Sequence, residues 1–307
     1  MAAPSAPAPR ERPVPTAEPT DTVLPTVSGR FGQRPRITVP KTRPSGRFVV
    51  APQYGGHGRA AHTGDVAVIR YAAKVWRTDR LLPGPYDKGA HPLVFAVGRG
   101  ATLPALDRAV AGQRAGSRVL VVAPPAAAYG PSGNGHFGLS GKDTVVFVVD
   151  VVNVVAAHAL VAGDQHAVAN SLPQVSPDHG RGTDTIAVPD RDAPRHTVTA
   201  PLVTGGGPVV KAGQTVVLQY STAVWQTERG KDKAALVQSS AADGGPLAVV
   251  IGRGNVLRGW DHALVGSRVG SRLLLVFPPD QAYGNHPPKG IPAGASLVCV
   301  IDVLAAA

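Results

Sequence analysis

Cysteine is almost absent from this chain: Cys299 is the only one in 307 residues. No intrachain disulfide can form, and no cysteine-based zinc site can close. No apolar run approaches the roughly 18 residues that a membrane helix needs, which excludes a transmembrane span. Aromatic residues are scarce at 5%, and charged residues make up only 17%. The opening MAAPSAPAPRERPVPTAEPT lacks the apolar centre of a signal peptide, which points to the cytoplasm. A Pro/Ala-rich start also fits the mature end of an exported or cell-surface protein whose leader has been replaced.

Glycine (36) and proline (30) are abundant, a composition that predicts many turns. The length fits two domains, and 43% apolar residues suffice for two cores. The net charge is +11, of which residues 1–47 carry +5, eight Arg and Lys against Glu11, Glu18 and Asp21. That stretch reads as a disordered Pro/Ala-rich tail ending in a preface strand. No block of five or six like charges exists, nor a basic helix with interleaved aromatics. No specific nucleic-acid partner is therefore expected.

An internal repeat organises the rest. At an offset of 149, residues 37–76 match 186–225 without a gap, with Val39, Pro40, Pro52, Gly56, Tyr71 and Trp76 meeting identical residues. At an offset of 154, residues 92–130 match 246–284, and PLVFAVGRG meets PLAVVIGRG. The repeat places domain 1 at 48–157 and domain 2 at 200–307, with 158–199 as a linker and second preface strand. The TIAVP of that linker copies the earlier ITVP and is expected to dock as an edge strand.

Each copy carries the same pattern. β-Branched segments at 65–76, 117–123 and 144–155, and at 214–225, 271–277 and 295–304, read as strands. Shorter strands are expected at 92–97 and 246–251. Leu103, Leu106 and Val110, and then Val256, Trp260 and Leu264, put one apolar face on a short helix in each copy. Strands at hairpin distances around one helix argue an α+β fold.

Several motifs look chemical without the context that chemistry requires. GNGHFG at 133–138 satisfies GxGxxG, yet neither a strand precedes it nor a helix follows. The ten histidines include no HExxH pair, and no GxSxG exists for a nucleophile elbow. Cys299 lies inside an apolar strand, where a thiol is inert. Neither a metal nor a cofactor is implied.

The segments GNVLRGW (254–260), PPDQAYG (278–284) and IPAGASLV (291–298) resemble the FKBP-type peptidyl-prolyl cis-trans isomerases, as do their weaker counterparts in copy one. The resemblance implies two FKBP-like domains, each a half-open antiparallel sheet wrapped around one short helix. It implies Pro-containing polypeptides as substrates and macrolides of the FK506/rapamycin type as ligands. It makes Trp260 the floor under the proline ring, with an ordinary core tryptophan as the alternative. Val256 and Leu257 open the helix, and the Leu257 N–H binds a substrate carbonyl. Tyr220 lines the pocket or packs its strand. Tyr283 offers a hydroxyl to a substrate carbonyl or stabilises its own turn. Leu247 and Val249 border the pocket, Ile291 belongs to the loop before the last strand, and His286 is a loop histidine or merely a solvated one. In copy one the corresponding set is Tyr71, Phe95, Leu103, Leu106, Tyr129 and Phe147.

This sequence departs from the family pattern in places. The family's Phe-Asp pair is Val237-Gln238 in copy two, and the aromatic of the last strand is Cys299. Smaller walls imply a wider, shallower pocket. In copy one the floor tryptophan is Leu106, and LLPGP at 81–85 supplies no acid, leaving Asp87 nearest. Copy two is thus expected to catalyse and copy one to be degenerate. A non-catalytic module that grips Pro-containing segments is the alternative.

Overall fold

A computed structural model describes Thr16 and residues 23–176 and 184–307. The disorder expected at the extreme N-terminus therefore falls outside the described residues, Thr16 apart. The chain divides into two compact units between Ala156 and Ala157.

Unit 1 contains β1 (Thr26–Ser28), β2 (Arg36–Thr38), β3 (Val49–Tyr54), β4 (Val66–Val75), β5 (Leu81–Leu82), β6 (Leu93–Ala96), α1 (Pro104–Val110), β7 (Arg118–Ala123) and β8 (Val145–Val155). The main sheet is antiparallel in the order β3-β7-β8-β4-β5, and β6 pairs with the first half of β4. Unit 2 repeats this plan. It contains β9 (Gln174–Ser176), β10 (Thr185–Ala187), β11 (Val198–Val203), β12 (Thr215–Val224), α2 (Trp225–Glu228), β13 (Leu236–Ser239), β14 (Leu247–Val250), α3 (Arg258–Leu264), β15 (Arg272–Phe277) and β16 (Leu297–Ala306). Its sheet runs β11-β15-β16-β12-β13, with β14 pairing β12. Both units are thus antiparallel sheets holding one principal helix, and unit 2 adds the single turn α2.

A sheet with one wet face alternates apolar and polar residues. The strands RVLVVA of β7 and RLLLVF of β15 do not alternate, because both faces of each sheet are covered. In unit 2, Leu273, Leu275 and Phe277 of β15 face α3 in one core. Leu274 and Val276 face the other way, against Ile186, Val188 and Trp225. Unit 1 divides likewise: Val121 and Phe147 pack on Leu106 of α1, whereas Leu120, Val122 and Val148 pack on Ile37 and Trp76.

The covering element on the outer face differs from the sequence expectation. Residues 26–38 are not the last strand of a disordered tail but a β1–β2 hairpin pairing Thr26 with Thr38. The TIA of TIAVP is β10, which pairs with β9 rather than docking on the edge of the main sheet. A buried ion pair anchors the first hairpin. Arg118 Nε donates to Asp150 Oδ1 at 2.6 Å, and its remaining N–H groups donate to the carbonyls of Gly29, Arg30 and Gln33. Arg272 and Asp302 form the same pair in unit 2, also at 2.6 Å. One edge of each main sheet is β3 or β11, the other β5 or β13. β3 and β11 carry a proline, Pro52 or Pro201, just before a register shift. A proline at a bulged edge removes a donor from the exposed ladder and blunts it against further pairing.

Candidate active site

The concave face of unit 2 gathers its side chains from every element of the sheet. Alternation along β12 points Leu218, Tyr220 and Val224 inward. Register places Cys299 of β16 opposite Thr222. Leu257 is the N-cap of α3 and has extended backbone, φ −55° and ψ 140°. Its carbonyl accepts the N–H groups of Trp260 and Asp261, while its own N–H has no protein acceptor among the described residues. The Asp261 carboxylate receives the N–H groups of Gly252 and Gly254 at 2.8 and 2.7 Å, which fixes the loop leading into the helix.

Trp260 is 6% exposed and meets the Tyr220 ring edge-to-face, with centroids 5.0 Å apart and planes at 67°. Val237, Leu247, Val249, Val256, Leu257, Tyr283 and Ile291 pack in the same cluster, so these expected residues are brought together. Cys299 joins them but is fully buried and offers a ligand no surface. Burial pushes its thiol up to about 11, against the opposing influence of the Thr222 hydroxyl and the Trp260 indole. His286 is not brought in: it is exposed, and its backbone N–H closes a turn onto the Tyr283 carbonyl.

Two polar pairs line this apolar surface. The Tyr283 hydroxyl donates to Gln238 Oε1 at 3.3 Å. The Tyr220 hydroxyl donates to Asp243 Oδ2 at 2.8 Å. Burial, followed by that bond to a carboxylate, holds the Tyr220 phenol well above its ordinary range, so it stays a proton donor. Sequence reasoning missed Asp243. Its placement begins at Ser239 and Ser240. Ser240 Oγ accepts the Tyr220 N–H at 3.0 Å and donates to Gln219 Oε1, and Ser239 Oγ accepts the Ala242 N–H. These bonds fold the loop back so that its one acid reaches Tyr220. The detectable signal was that Asp243 is the sole acid between Ala234 and Leu247.

The matching surface of unit 1 gathers the corresponding side chains. Leu106 is 1% exposed and Phe147 fully buried, and the Tyr71 ring stands edge-on to Phe147 at 5.8 Å. Phe95 is buried with them, while Leu103 and Tyr129 pack half-buried on the same cluster. Leu82, from the LLPGP segment, joins that cluster too. Among the described residues, no carboxylate hydrogen-bonds the Tyr71 hydroxyl as Asp243 does that of Tyr220, although Asp87 is near enough to raise the Tyr71 phenol after burial does. Asp87 instead accepts the Gly84 N–H at 2.7 Å and pairs with Arg34. Burial raises the Tyr129 phenol to about 12.

The two sites also divide their volume differently. Trp260 and Cys299 in unit 2 correspond to Leu106 and Phe147 in unit 1: a large floor with a small wall, against a small floor with a large wall. The smaller Cys299 is therefore met by the larger indole and does not by itself widen the site.

The model of the FKBP-type peptidyl-prolyl cis-trans isomerase family matches residues 57–152 and again 207–304. The chain is 40% identical over 94 residues to FK506-binding protein 4 of Mycosarcoma maydis, which covers 31% of this chain and 23% of that protein. It is 34% identical over 122 residues to an FK506-binding protein of Streptomyces anulatus, covering 39% of this chain and 94% of that one. The chain thus spans about a fifth of the fungal FK506-binding protein 4 relatives and nearly all of the Streptomyces protein. The crystal structure of the three FKBP domains of wheat FKBP73 overlays 86% of this chain and 96% of its own, at 15% identity and a TM-score of 0.35.

Proposed function

Because the chain belongs to the FKBP-type peptidyl-prolyl cis-trans isomerase family, we propose that its second domain isomerises X–Pro bonds of polypeptides at the Trp260 surface. The observation that carries this reading is the edge-to-face Trp260–Tyr220 pair, an apolar floor set beside unused and exchangeable hydrogen-bond donors. Rotation about the X–Pro amide is opposed by resonance, a barrier of roughly 18–20 kcal/mol. No proton or electron pair must be carried. Water stabilises the planar, charge-separated amide more than the twisted one, so a dry surface lowers the barrier by differential binding. The proline ring rests on Trp260. The free Leu257 N–H takes the carbonyl beyond the ring, and the Tyr283 hydroxyl exchanges Gln238 for a substrate oxygen. Asp243 orients Tyr220 without touching the amide. A macrolide of the FK506/rapamycin type fits the same apolar floor and the same donors.

A second reading applies to domain 1: it holds Pro-containing segments with little turnover. The buried Leu106, the inserted Leu82 and the lack, among the described residues, of a carboxylate bonded to the Tyr71 hydroxyl favour this. Together they leave domain 1 less floor and fewer fixed donors.

The test is isomerisation of an X–Pro peptide by the full chain and by Trp260→Leu. Loss of an aromatic pair worth about 0.5–1.5 kcal/mol, together with the ring contact, predicts at least a tenfold fall in kcat/KM. Folding should be retained, since unit 1 carries Leu at this position. Equal turnover by both proteins moves the site elsewhere, and no turnover by the unaltered chain removes the reading.

A further inference from the structure

We infer that unit 1 carries a binding groove for acidic, extended polypeptide on the face opposite its concave site. The groove holds about 1240 Å³, more than the roughly 300–1,000 Å³ typical of small-molecule sites. Six cations line it: Arg36, Lys41, Arg43, Lys74, Arg77 and Lys142. Two of these are neutralised, Lys74 by Asp79 at 2.6 Å and Arg77 by Asp143 at 3.0 Å. Arg36, Lys41, Arg43 and Lys142 are exposed and form no ion pair among the described residues. Three of these four come from the stretch that the sequence suggested was a basic tail. In the fold they converge with residues of β4 and of the loop before β8.

The fold itself does not demand this charge. Unit 2 builds a groove at the equivalent place, around Trp225, and the anchoring bond is the same. Trp76 Nε1 donates to the Thr42 carbonyl at 2.8 Å, and Trp225 Nε1 donates to the Arg191 carbonyl at 2.9 Å. At the repeat offset of 149, Arg36, Lys41, Arg43, Lys74 and Arg77 become Thr185, Asp190, Asp192, Ala223 and Gln226. None of these is a cation, and two are acids that pair with Arg229 at 2.9 and 2.8 Å. The unit 2 groove thus keeps two cations outside ion pairs, Arg191 and Arg195, against four in unit 1.

Charge complementarity selects an acidic occupant, and the shape selects polypeptide over nucleic acid. Single strands are held by stacking bases on open aromatic faces. The one aromatic here, Trp76, is 7% exposed and tied by its indole N–H. Duplexes are read by a helix or ribbon that projects into a groove, whereas this surface is concave. Apolar Val39, Pro40 and Pro44 lie between the cations, suiting a chain in which acidic and apolar residues alternate.

The probe is a fluorescein-labelled decapeptide of alternating Glu and Leu, titrated with the full chain and followed by anisotropy. The reversal Lys41→Glu/Arg43→Glu is compared with Lys211→Glu/Lys233→Glu, which changes net charge equally on exposed positions of unit 2. The groove variant should weaken binding at least about tenfold and the control less than about twofold, with affinity falling as salt rises. Circular dichroism verifies that both variants fold. Equal weakening by both variants would reduce the effect to net charge and overturn the proposal. So would tighter binding of a single-stranded oligonucleotide than of the peptide, or no binding of the peptide in low salt.

Discussion

The helix of unit 2 rests on its sheet through a glycine, and this contact can be inverted. A Cβ placed on Gly259 would lie 2.7 Å from Cγ, 2.9 Å from Cδ1 and 3.1 Å from Cδ2 of Phe277. That ring is fully buried and cannot swing away. At the same repeat positions unit 1 has Ala105 and Ala123, both fully buried. One unit thus fills the contact with nothing plus a phenyl ring, and the other with two methyls. Gly259→Ala introduces overpacking of about 1–3 kcal/mol and recovers up to about 1 kcal/mol of helix propensity. The net is a loss of about 1 kcal/mol. Phe277→Ala alone opens a cavity and costs about 3–5 kcal/mol. In that background Gly259→Ala meets no ring, so it should stabilise by about 0.5–1 kcal/mol through propensity and partial filling. The coupling is then about 2 kcal/mol, within the range seen for touching residues. Scanning calorimetry of the full chain reads it, with the transition of unit 1 as internal reference. A change of 1 kcal/mol moves Tm by roughly 2–4 °C for a unit of this size. The refuting result is Gly259→Ala shifting the unit 2 transition in the same direction with and without Phe277.

Asp243→Asn keeps a hydrogen-bond acceptor but removes the charge beside Tyr220. Ultraviolet difference titration should show one tyrosine ionising at lower pH than before, with kcat/KM for an X–Pro peptide down severalfold. An unchanged titration and rate would deny Asp243 its positioning role. Cys299, buried and raised to about 11, should resist alkylation at neutral pH in the folded protein and react promptly in denaturant; rapid labelling of the native chain would contradict its placement. Two buried carboxylates make stability acid-sensitive. Burial opposes ionisation of Asp143 and Glu228, but Arg77 and Ser140 on one, and the Ala235 N–H and Lys231 on the other, outweigh it and lower both. Their folded values lie below the unfolded ones, so their stabilisation is complete above about pH 4–4.5 and is lost as pH falls through the depressed values. Glu228→Gln should flatten that acid limb for unit 2 alone in calorimetry, and an unaltered limb would count against the assignment.

The central strands and the principal helices α1 and α3 were legible because their signals are local, whereas the single turn α2 follows directly on β12 and was read as the end of that strand. The expected helix of copy two, 256–264, is observed as Arg258–Leu264 after an extended cap at Leu257. The strand expected at 271–277 is Arg272–Phe277. The outer strands β3 and β11 were not, since each is interrupted by proline and half-exposed, without a sustained apolar period. The two hairpins are three residues per strand, too short for periodicity to register. Their existence was nevertheless implied: non-alternating apolar strands in an antiparallel sheet require cover on both faces, and one helix per copy covers only one.

The candidate site was legible as a cluster where a residue type and its backbone position coincide in sequence, as at Leu257 and Trp260. It was not legible where a contact passes between positions. The acid expected beside Val237 is amide in this chain, and the carboxylate that meets Tyr220 arrives from Asp243, carried there by the hydroxyls of Ser239 and Ser240. Volume passes between positions in the same way, from wall to floor, when Phe147 with Leu106 becomes Cys299 with Trp260. Charge does so as well, since cations scattered between Arg36 and Lys142 converge only when the β1–β2 hairpin lies against β4 and β8. A linear reading scores each such position as a loss. The folded sheet makes them exchanges, because residues distant in sequence share one face and one volume. Degeneracy of a copy is therefore to be judged on the packed surface, where Leu106 with Phe147 in unit 1 stand in the places of Trp260 with Cys299 in unit 2.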